Sequence, residues 1–100
     1  MSTDLETIKR KIALNKEYLL KTYGVEEIGV FGSFARGDND ANSDIDVAIE
    51  LNRTVPVGLL AFARMQFYLE DVLGRKVDLV IKSGIKPMIK DRILSQLIIV

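Results

Sequence analysis

The sequence predicts an α/β domain, of the α+β kind, in which helices pack on a mixed β-sheet of three to four strands. The first observation is the order of periodicities along the chain: helix, strand, turn, strand, helix, strand, helix, which is typical of a layered α/β fold. The second is composition, because 48% of the 100 residues are hydrophobic and 28% are charged, as in compact globular domains. The third is length, which suffices for one core. We therefore expect a single domain over residues 1–100.

The first two predicted elements are a helix and a strand. From Asp4 to Tyr23, apolar residues recur at intervals of three and four among Lys and Glu, which predicts an amphipathic helix that opens at Ser2 or Thr3. Gly24 ends this helix. The segment from Val25 to Phe31 is rich in β-forming residues and predicts a strand.

A turn, a loop and a second strand are predicted next. Gly32-Ser33 favours a tight turn, and the polar segment from Phe34 to Ser43 is too rich in turn-forming residues for a regular element. From Asp44 to Leu51 the side chains alternate, so one side of the strand is polar and the other is apolar. The polar side carries Asp44, Asp46, Ala48 and Glu50, and the apolar side carries Ile45, Val47, Ile49 and Leu51.

The second half of the chain predicts two helices and at least one strand. Pro56 suits the first turn of a helix that ends at Gly74. The segment from Val77 to Ile81 predicts a short strand that is apolar apart from one acid. Pro87 starts a final short helix, and Leu97 to Val100 predict a last strand or a docked tail. The inward residues of the final helix are expected to be Met88, Ile89 and Ile93.

Charge and composition exclude several classes of function. Fourteen basic and fourteen acidic residues cancel, which argues against a dedicated nucleic-acid-binding protein. The chain has no Cys and no His, so disulfides, thiolate metal sites and a histidine base are all excluded. Apolar runs such as Leu59 to Ala63 are too short to span a bilayer, and Asp4 and Glu6 do not suit a signal peptide. We therefore expect a cytoplasmic protein with no direct nucleic-acid or membrane partner.

Carboxylates are concentrated between Gly32 and Glu50. Asp44 and Asp46 stand two residues apart on one side of the predicted strand, about 6.6 Å apart along it. Two such carboxylates repel each other unless a cation lies between them, and no Lys or Arg is placed there. Oxygen ligands suit a hard ion, so the pair predicts a site for Mg²⁺ or Mn²⁺.

Two neighbouring features extend this prediction to a transfer site for a phosphate group. Backbone N–H groups at the turn of Gly32, together with the Ser33 hydroxyl, can bind the phosphates of a nucleoside triphosphate. If the strand of Asp78 lies beside that of Asp44 and Asp46, three carboxylates can hold two ions. Asp78 is then also the candidate acceptor for the proton of the attacking hydroxyl.

Each of these signals has a plainer interpretation. Asp44 and Asp46 can form the solvent face of an edge strand, where charge discourages aggregation. A Gly-Ser pair is a common turn, and Asp78 can mark the wet side of its strand. Arg36 can contact phosphate or pair with Asp38 or Asp40 of the following loop.

The spacing of these residues resembles a known signature. Gly32-Ser33, ten residues and then Asp44-Ile45-Asp46 are similar to the Gly-Ser and Asp-x-Asp motif of the DNA polymerase β-like nucleotidyltransferase superfamily. The flanking residues from Phe34 to Gly37 resemble its minimal nucleotidyltransferase branch. The resemblance implies a polymerase β palm-like fold, a nucleotide at Gly32 and Ser33, and two Mg²⁺ ions on the acid pair and Asp78. It also implies transfer of a nucleoside monophosphate with loss of pyrophosphate.

The same resemblance implies a protein partner. Members of this branch are typically encoded beside a HEPN-domain toxin, which they neutralise as antitoxins, in some cases by adding AMP from ATP to a partner tyrosine. Larger members of the superfamily carry an extra acceptor-binding domain, and this sequence ends where it would begin, so either a partner brings the acceptor or turnover is lost. Two alternatives remain: a non-catalytic antitoxin that acts by contact, and a nucleotidyltransferase for small molecules such as aminoglycosides.

Overall fold

A four-stranded β-sheet supports four helices. The computed structural model describes residues 4–100. The elements are α1 (Leu5–Tyr23), β1 (Val25–Phe31), α2 (Gly32–Arg36), β2 (Ile45–Leu51), α3 (Leu59–Leu73), β3 (Val77–Ile81), α4 (Pro87–Gln96) and β4 (Ile98–Ile99), with a single 3₁₀ turn (Lys82–Gly84) after β3. The predicted class, helices on a mixed sheet, is confirmed.

The strand order β3-β2-β1-β4 combines both kinds of pairing. Strand β1 is antiparallel to β2 and to β4, whereas β2 and β3 are parallel. A parallel pair needs a long crossover, and α3 provides it between β2 and β3. Of the two predictions for the end of the chain, the strand is the one observed, because β4 pairs with β1.

The hydrophobic core lies on the face of the sheet that α1 and α3 cover. The apolar side of β2 is buried there, which confirms the alternation predicted for this strand. The buried residues of the helices are Ile8, Ile12 and Leu19 of α1 and Met65, Leu69 and Leu73 of α3. Helix α4 contacts β1 and α2 instead. The polar side of β2 lies on the second face, called here the open face because α1 and α3 do not cover it. On this face Asp46 and Glu50 are half-buried, and Ala48 is buried.

Helix starts differ from the sequence prediction at two places. Helix α1 begins at Leu5, where the Asp4 carboxylate accepts a hydrogen bond of 2.8 Å from the Thr7 N–H. Ser2 and Thr3, the predicted opening residues, lie outside the described residues. Pro56 was expected in the first turn of α3, but this helix starts three residues later, at Leu59. Both predicted helix ends, at Gly24 and Gly74, are confirmed.

Tertiary packing overrides local sequence at two further segments. The segment from Phe34 was expected to be a loop, yet α2 continues to Arg36 because the Phe34 ring is buried in the core, with 1% of its surface exposed. Met88 and Ile89 were expected to face inward, but they are 95% and 47% exposed. These residues lie in the first half of α4, which extends over the open face of the sheet. No helix among residues 4–100 is long and apolar enough to cross a membrane.

Candidate active site

Two neighbouring strands, β2 and β3, carry the predicted acids on the open face of the sheet. In the parallel pair, Asp46 of β2 lies directly opposite Asp78 of β3, and on its other side Asp46 is opposite Phe31 of β1. Opposed residues on adjacent strands point to the same face at a strand spacing of about 4.8 Å. Asp44 immediately precedes β2, two residues from Asp46. The structure thus places Asp46 directly beside Asp78, with Asp44 two residues before Asp46 in the chain.

The surroundings of Asp46 disfavour its charged form. Burial raises the pKa of the Asp46 carboxyl above its usual value of 3.8, and the negative charges of Asp78 and then Asp44 raise it further, while Arg36 acts in the opposite direction. No Lys or Arg among residues 4–100 forms an ion pair with any of the three acids. The uncompensated charge is what a cation would neutralise.

Gly32 contacts the Asp46 carboxylate directly. The glycine has a φ of +74°, and a Cβ atom placed on it would lie 2.0 Å from Asp46 Oδ2. Any side chain at this position would displace the carboxylate, so only glycine lets the start of α2 pass so close to Asp46. Sequence reasoning assigned Gly32 to phosphate approach, but it did not find this contact. Ser33 follows as a half-buried residue of α2.

A cleft of about 270 Å³ opens beside this pair, between α2 and α4. Phe31 and Asp46 form its sheet side, and Gly32 and Arg36 line it from α2. Arg36 Nε donates a 3.0 Å hydrogen bond to Asp38 Oδ2, and its Nη1 donates one of the same length to Gln96 Oε1 of α4. The predicted pairing of Arg36 with the loop is therefore observed, and the same side chain also lines the cleft.

The loop between α2 and β2 is fixed by its own contacts. Asp40 acts as the predicted turn-former, because its Oδ1 accepts a 2.8 Å hydrogen bond from the Asn42 N–H. Arg75 was not found from the sequence: its Nη1 donates to the carbonyls of Ala41 (3.1 Å) and Ser43 (2.8 Å).

The Arg75 guanidinium also lies 5.4 Å from the centre of the Phe34 ring, within cation–π range. Arg75 therefore ties the residues that precede Asp44 to α2. Its only signal in the sequence is a position just before a strand, which does not distinguish it from a solvated surface residue.

The donor set suits a divalent ion completed by a ligand. All three acids offer carboxylate oxygens, the ligands that Mg²⁺ and Mn²⁺ prefer. Within residues 4–100, no group of three or more acidic side chains lies close enough together to hold a metal ion. Mg²⁺ keeps several waters and shares ligands with substrate phosphates, so it can bind with only one or two protein carboxylates. The raised pKa of Asp46 and its direct opposition to Asp78 are the observations that fit the ion.

The fold, together with the carboxylates of Asp46 and Asp78 on adjacent strands, is typical of one class of protein. Residues 12–100 match the nucleotidyltransferase domain family. The chain belongs to this family, and the nucleotidyltransferase class that the sequence resemblance implied is confirmed.

Individual relatives narrow the comparison. The protein adenylyltransferase MntA of Thermococcus cleftensis is 40% identical over 96 residues, which cover 96% of this chain and 95% of that protein. A solved structure assigned as a minimal nucleotidyltransferase is 34% identical with a TM-score of 0.75, covering 95% of this chain and 94% of the other. A crystal structure of a toxin–antitoxin with AMP-PNP is 26% identical with a TM-score of 0.72, covering 91% and 70%.

Proposed function

We propose that this protein transfers AMP from ATP to a hydroxyl group of a HEPN-domain partner protein and thereby acts as its antitoxin. The observation that carries the proposal is the direct opposition of Asp46 and Asp78 beside Gly32, in a chain of the nucleotidyltransferase family. The relative from Thermococcus cleftensis, a protein adenylyltransferase, supports a nucleotide donor and a protein acceptor. The structural neighbour solved as a toxin–antitoxin with AMP-PNP supports both the partner and the ATP donor.

Asp44, Asp46 and Asp78 would hold two Mg²⁺ ions, with Mn²⁺ as a substitute. Such ions stabilise charge on a transferring phosphate and lower the pKa of the attacking hydroxyl. Asp46 is the most enclosed of the three, being half-buried between Gly32 and Asp78. Its position is fixed by the strand pairing on both sides. Asp44 and Asp78 are exposed, so they remain open to an incoming substrate.

The proton of the acceptor hydroxyl moves to the Asp78 carboxylate in this proposal. Asp78 lies on β3, at the edge of the sheet, and its side chain is exposed. A partner can therefore bring its hydroxyl to this side. The hydroxyl oxygen forms a bond to the α-phosphorus, the bond from that phosphorus to the bridging oxygen breaks, and pyrophosphate leaves. Asp46 is less suited to accept the proton, because it is enclosed beside Gly32.

Gly32, Ser33 and Arg36 would bind the nucleotide. Gly32 has no side chain to keep phosphate away from the backbone. The Ser33 hydroxyl makes no hydrogen bond among those described for residues 4–100, so it is available to donate to a phosphate oxygen. Arg36 lines the cleft, and its positive charge partly opposes the rise in the pKa of Asp46, which supports a role for Arg36 beside the acids.

The experiment is transfer of label from ATP carrying radioactive α-phosphate to the candidate HEPN-domain partner, the product of the neighbouring gene, with Mg²⁺. The wild-type protein should label the partner, and the double variant Asp44→Ala, Asp46→Ala should not. Glu50→Ala is the matched control, because Glu50 lies on the same side of β2 but four residues beyond Asp46, the residue paired with Asp78. Label that persists in the double variant would overturn the assignment.

A second candidate function is neutralisation of the partner by contact alone. It is favoured by an apolar groove of about 480 Å³ between α4 and β3, whose lining includes Phe62, Val80 and Ile85. If contact suffices, the double Asp→Ala variant will protect cells from the toxin as well as wild type does at equal protein levels. If AMP transfer is required, that variant will not protect.

A further inference from the structure

We infer that the cleft between α2 and α4 is the site for the β- and γ-phosphates of the nucleotide, and that Arg92 is the residue of α4 that holds them. This inference rests on the proposed function, since it assigns a new residue to the nucleotide. Arg92 belongs to no motif of the sequence, and it is the packing of α4 that places it at the cleft.

One face of α4 is directed at the cleft. Its lining residues on this helix are Ile89, Arg92, Ile93 and Gln96, which are spaced by three, one and three positions. That spacing is the pattern of a single helical face. Arg92 is therefore directed at the cleft by the geometry of the helix. Lys90, on the same helix, is not among the lining residues.

The cleft has opposite charges at its two sides. Asp46 supplies the negative charge on the sheet side, and Arg36 and Arg92 supply positive charges from α2 and α4. A bare phosphate would be repelled by Asp46, so the phosphate nearest the acids must be one that shares their cations. The remaining phosphates carry further negative charge and extend toward the two guanidinium groups. The triphosphate then lies with its α-phosphate at the acids and with its tail, the β- and γ-phosphates, between the two arginines.

The two arginines differ in their partners: Arg36 forms an ion pair with Asp38, whereas no ion pair of Arg92 is described among residues 4–100. Arg36 is held in place by Asp38 and by Gln96, which lies four residues after Arg92 on α4. Arg92 forms no ion pair among the residues 4–100, and its carbonyl, rather than its side chain, accepts from the Ser95 hydroxyl. Its planar fork of N–H donors matches phosphate oxygens. Arg36 is thus held in one orientation at the side of the cleft, whereas the Arg92 guanidinium is available to bind the ligand.

The test measures binding of ATP, AMP and pyrophosphate to the full chain by calorimetry, with Mg²⁺ in every sample. For Arg92→Ala we expect the dissociation constants of ATP and pyrophosphate to rise by about tenfold to a hundredfold, the usual effect of losing a charge-assisted hydrogen bond. Binding of AMP should be unchanged, since AMP has no tail. Arg92→Lys should fall between wild type and Arg92→Ala, because it keeps the charge but loses the fork. Lys90→Ala is the control and should bind all three ligands as wild type does.

The outcomes separate this inference from the proposed function. If Arg92→Ala binds ATP as tightly as wild type while the wild type labels its partner, the inference is wrong and the function stands. An equal loss for AMP and ATP also contradicts the inference, since the effect would not involve the tail. If the wild type binds pyrophosphate through Arg92 but transfers no label, the phosphate site stands and the function fails. Failure of the wild type to bind any of the three would overturn both.

Discussion

The contact between Gly32 and Asp46 gives the sharpest prediction, the effect of Gly32→Ala. Two penalties combine in this variant. Alanine at a φ of +74° costs about 1–2 kcal/mol, because an L side chain clashes with its own backbone there. The new Cβ would also lie 2.0 Å from Asp46 Oδ2, so the carboxylate must move by about 1 Å to restore a normal contact.

Gly37→Ala separates the two penalties. Gly37 has a φ of +83°, close to that of Gly32, but a Cβ atom there would meet nothing within 4 Å. Its cost is therefore the backbone term alone, about 1–2 kcal/mol. Gly32→Ala should lose about 0.5–1.5 kcal/mol more, the usual cost of a side chain forced off its rotamer. Each kcal/mol corresponds to a fall in Tm of about 4–8 °C in a domain of this size.

Ion binding is the decisive measurement. Displacing a neighbour that orients a metal ligand typically weakens metal affinity by about 10–100-fold. We expect Gly32→Ala to weaken Mn²⁺ binding by this factor in an electron paramagnetic resonance titration, whereas Gly37→Ala keeps the wild-type affinity. Equal Mn²⁺ affinity in the two variants would refute the reasoning, because the glycine would then have no role in holding the Asp46 carboxylate. Urea unfolding of both proteins in the absence of metal checks the stability difference.

Three other substitutions test the surroundings of the acid pair. The pKa of Asp46 is raised in the folded protein, so stability without metal should fall as the pH rises from its unfolded value of 3.8 through the higher folded value. Asp46→Asn should remove that fall and raise the Tm at pH 7, while Mg²⁺ should raise the Tm of the wild type alone. Arg75→Ala should cost about 1–3 kcal/mol in urea unfolding, since two loop carbonyls lose their donor, and it should weaken Mn²⁺ binding because Asp44 follows that loop. Phe34→Ala should cost about 3–5 kcal/mol, as for other buried aromatic residues. An unchanged urea midpoint in either of the last two would contradict the packing described for the loop and α2.

The elements that could be predicted from sequence are those whose signal is local. The alternation along β2 fixes which side is buried, because its period matches the pleat of a strand. Gly24 and Gly74 mark two helix ends for the same reason, since the signal lies within a few residues of the feature. The pair Asp44 and Asp46 is also local, which is why a cation site could be proposed before the fold was known.

Features that depend on packing could not be predicted in this way. The polar residues around Phe34 predict a loop after Gly32, but α2 continues to Arg36 because Phe34 is buried in the core. The apolar spacing of α4 indicates an inward face at Met88 and Ile89, yet Met88 is 95% exposed, and Ile89 lines the cleft and stays 47% exposed. Arg75 carries no sequence signal because its partners are backbone carbonyls more than thirty residues away.

One face of the sheet carries the hydrophobic core and the other carries the acids. This separation explains how so small a domain can hold acids that repel one another. The apolar sides of β1, β2 and β3 pack with α1 and α3 into the core, which supplies the stabilising burial. On the opposite face, burial and then the negative charges of Asp78 and Asp44 raise the pKa of Asp46, so the ionised form of Asp46 lowers the stability of the domain. The protein keeps them apart from the core, so their charge can be compensated by a bound cation without any change in the packing beneath. If a cation binds these acids as proposed, its binding should therefore stabilise the whole domain.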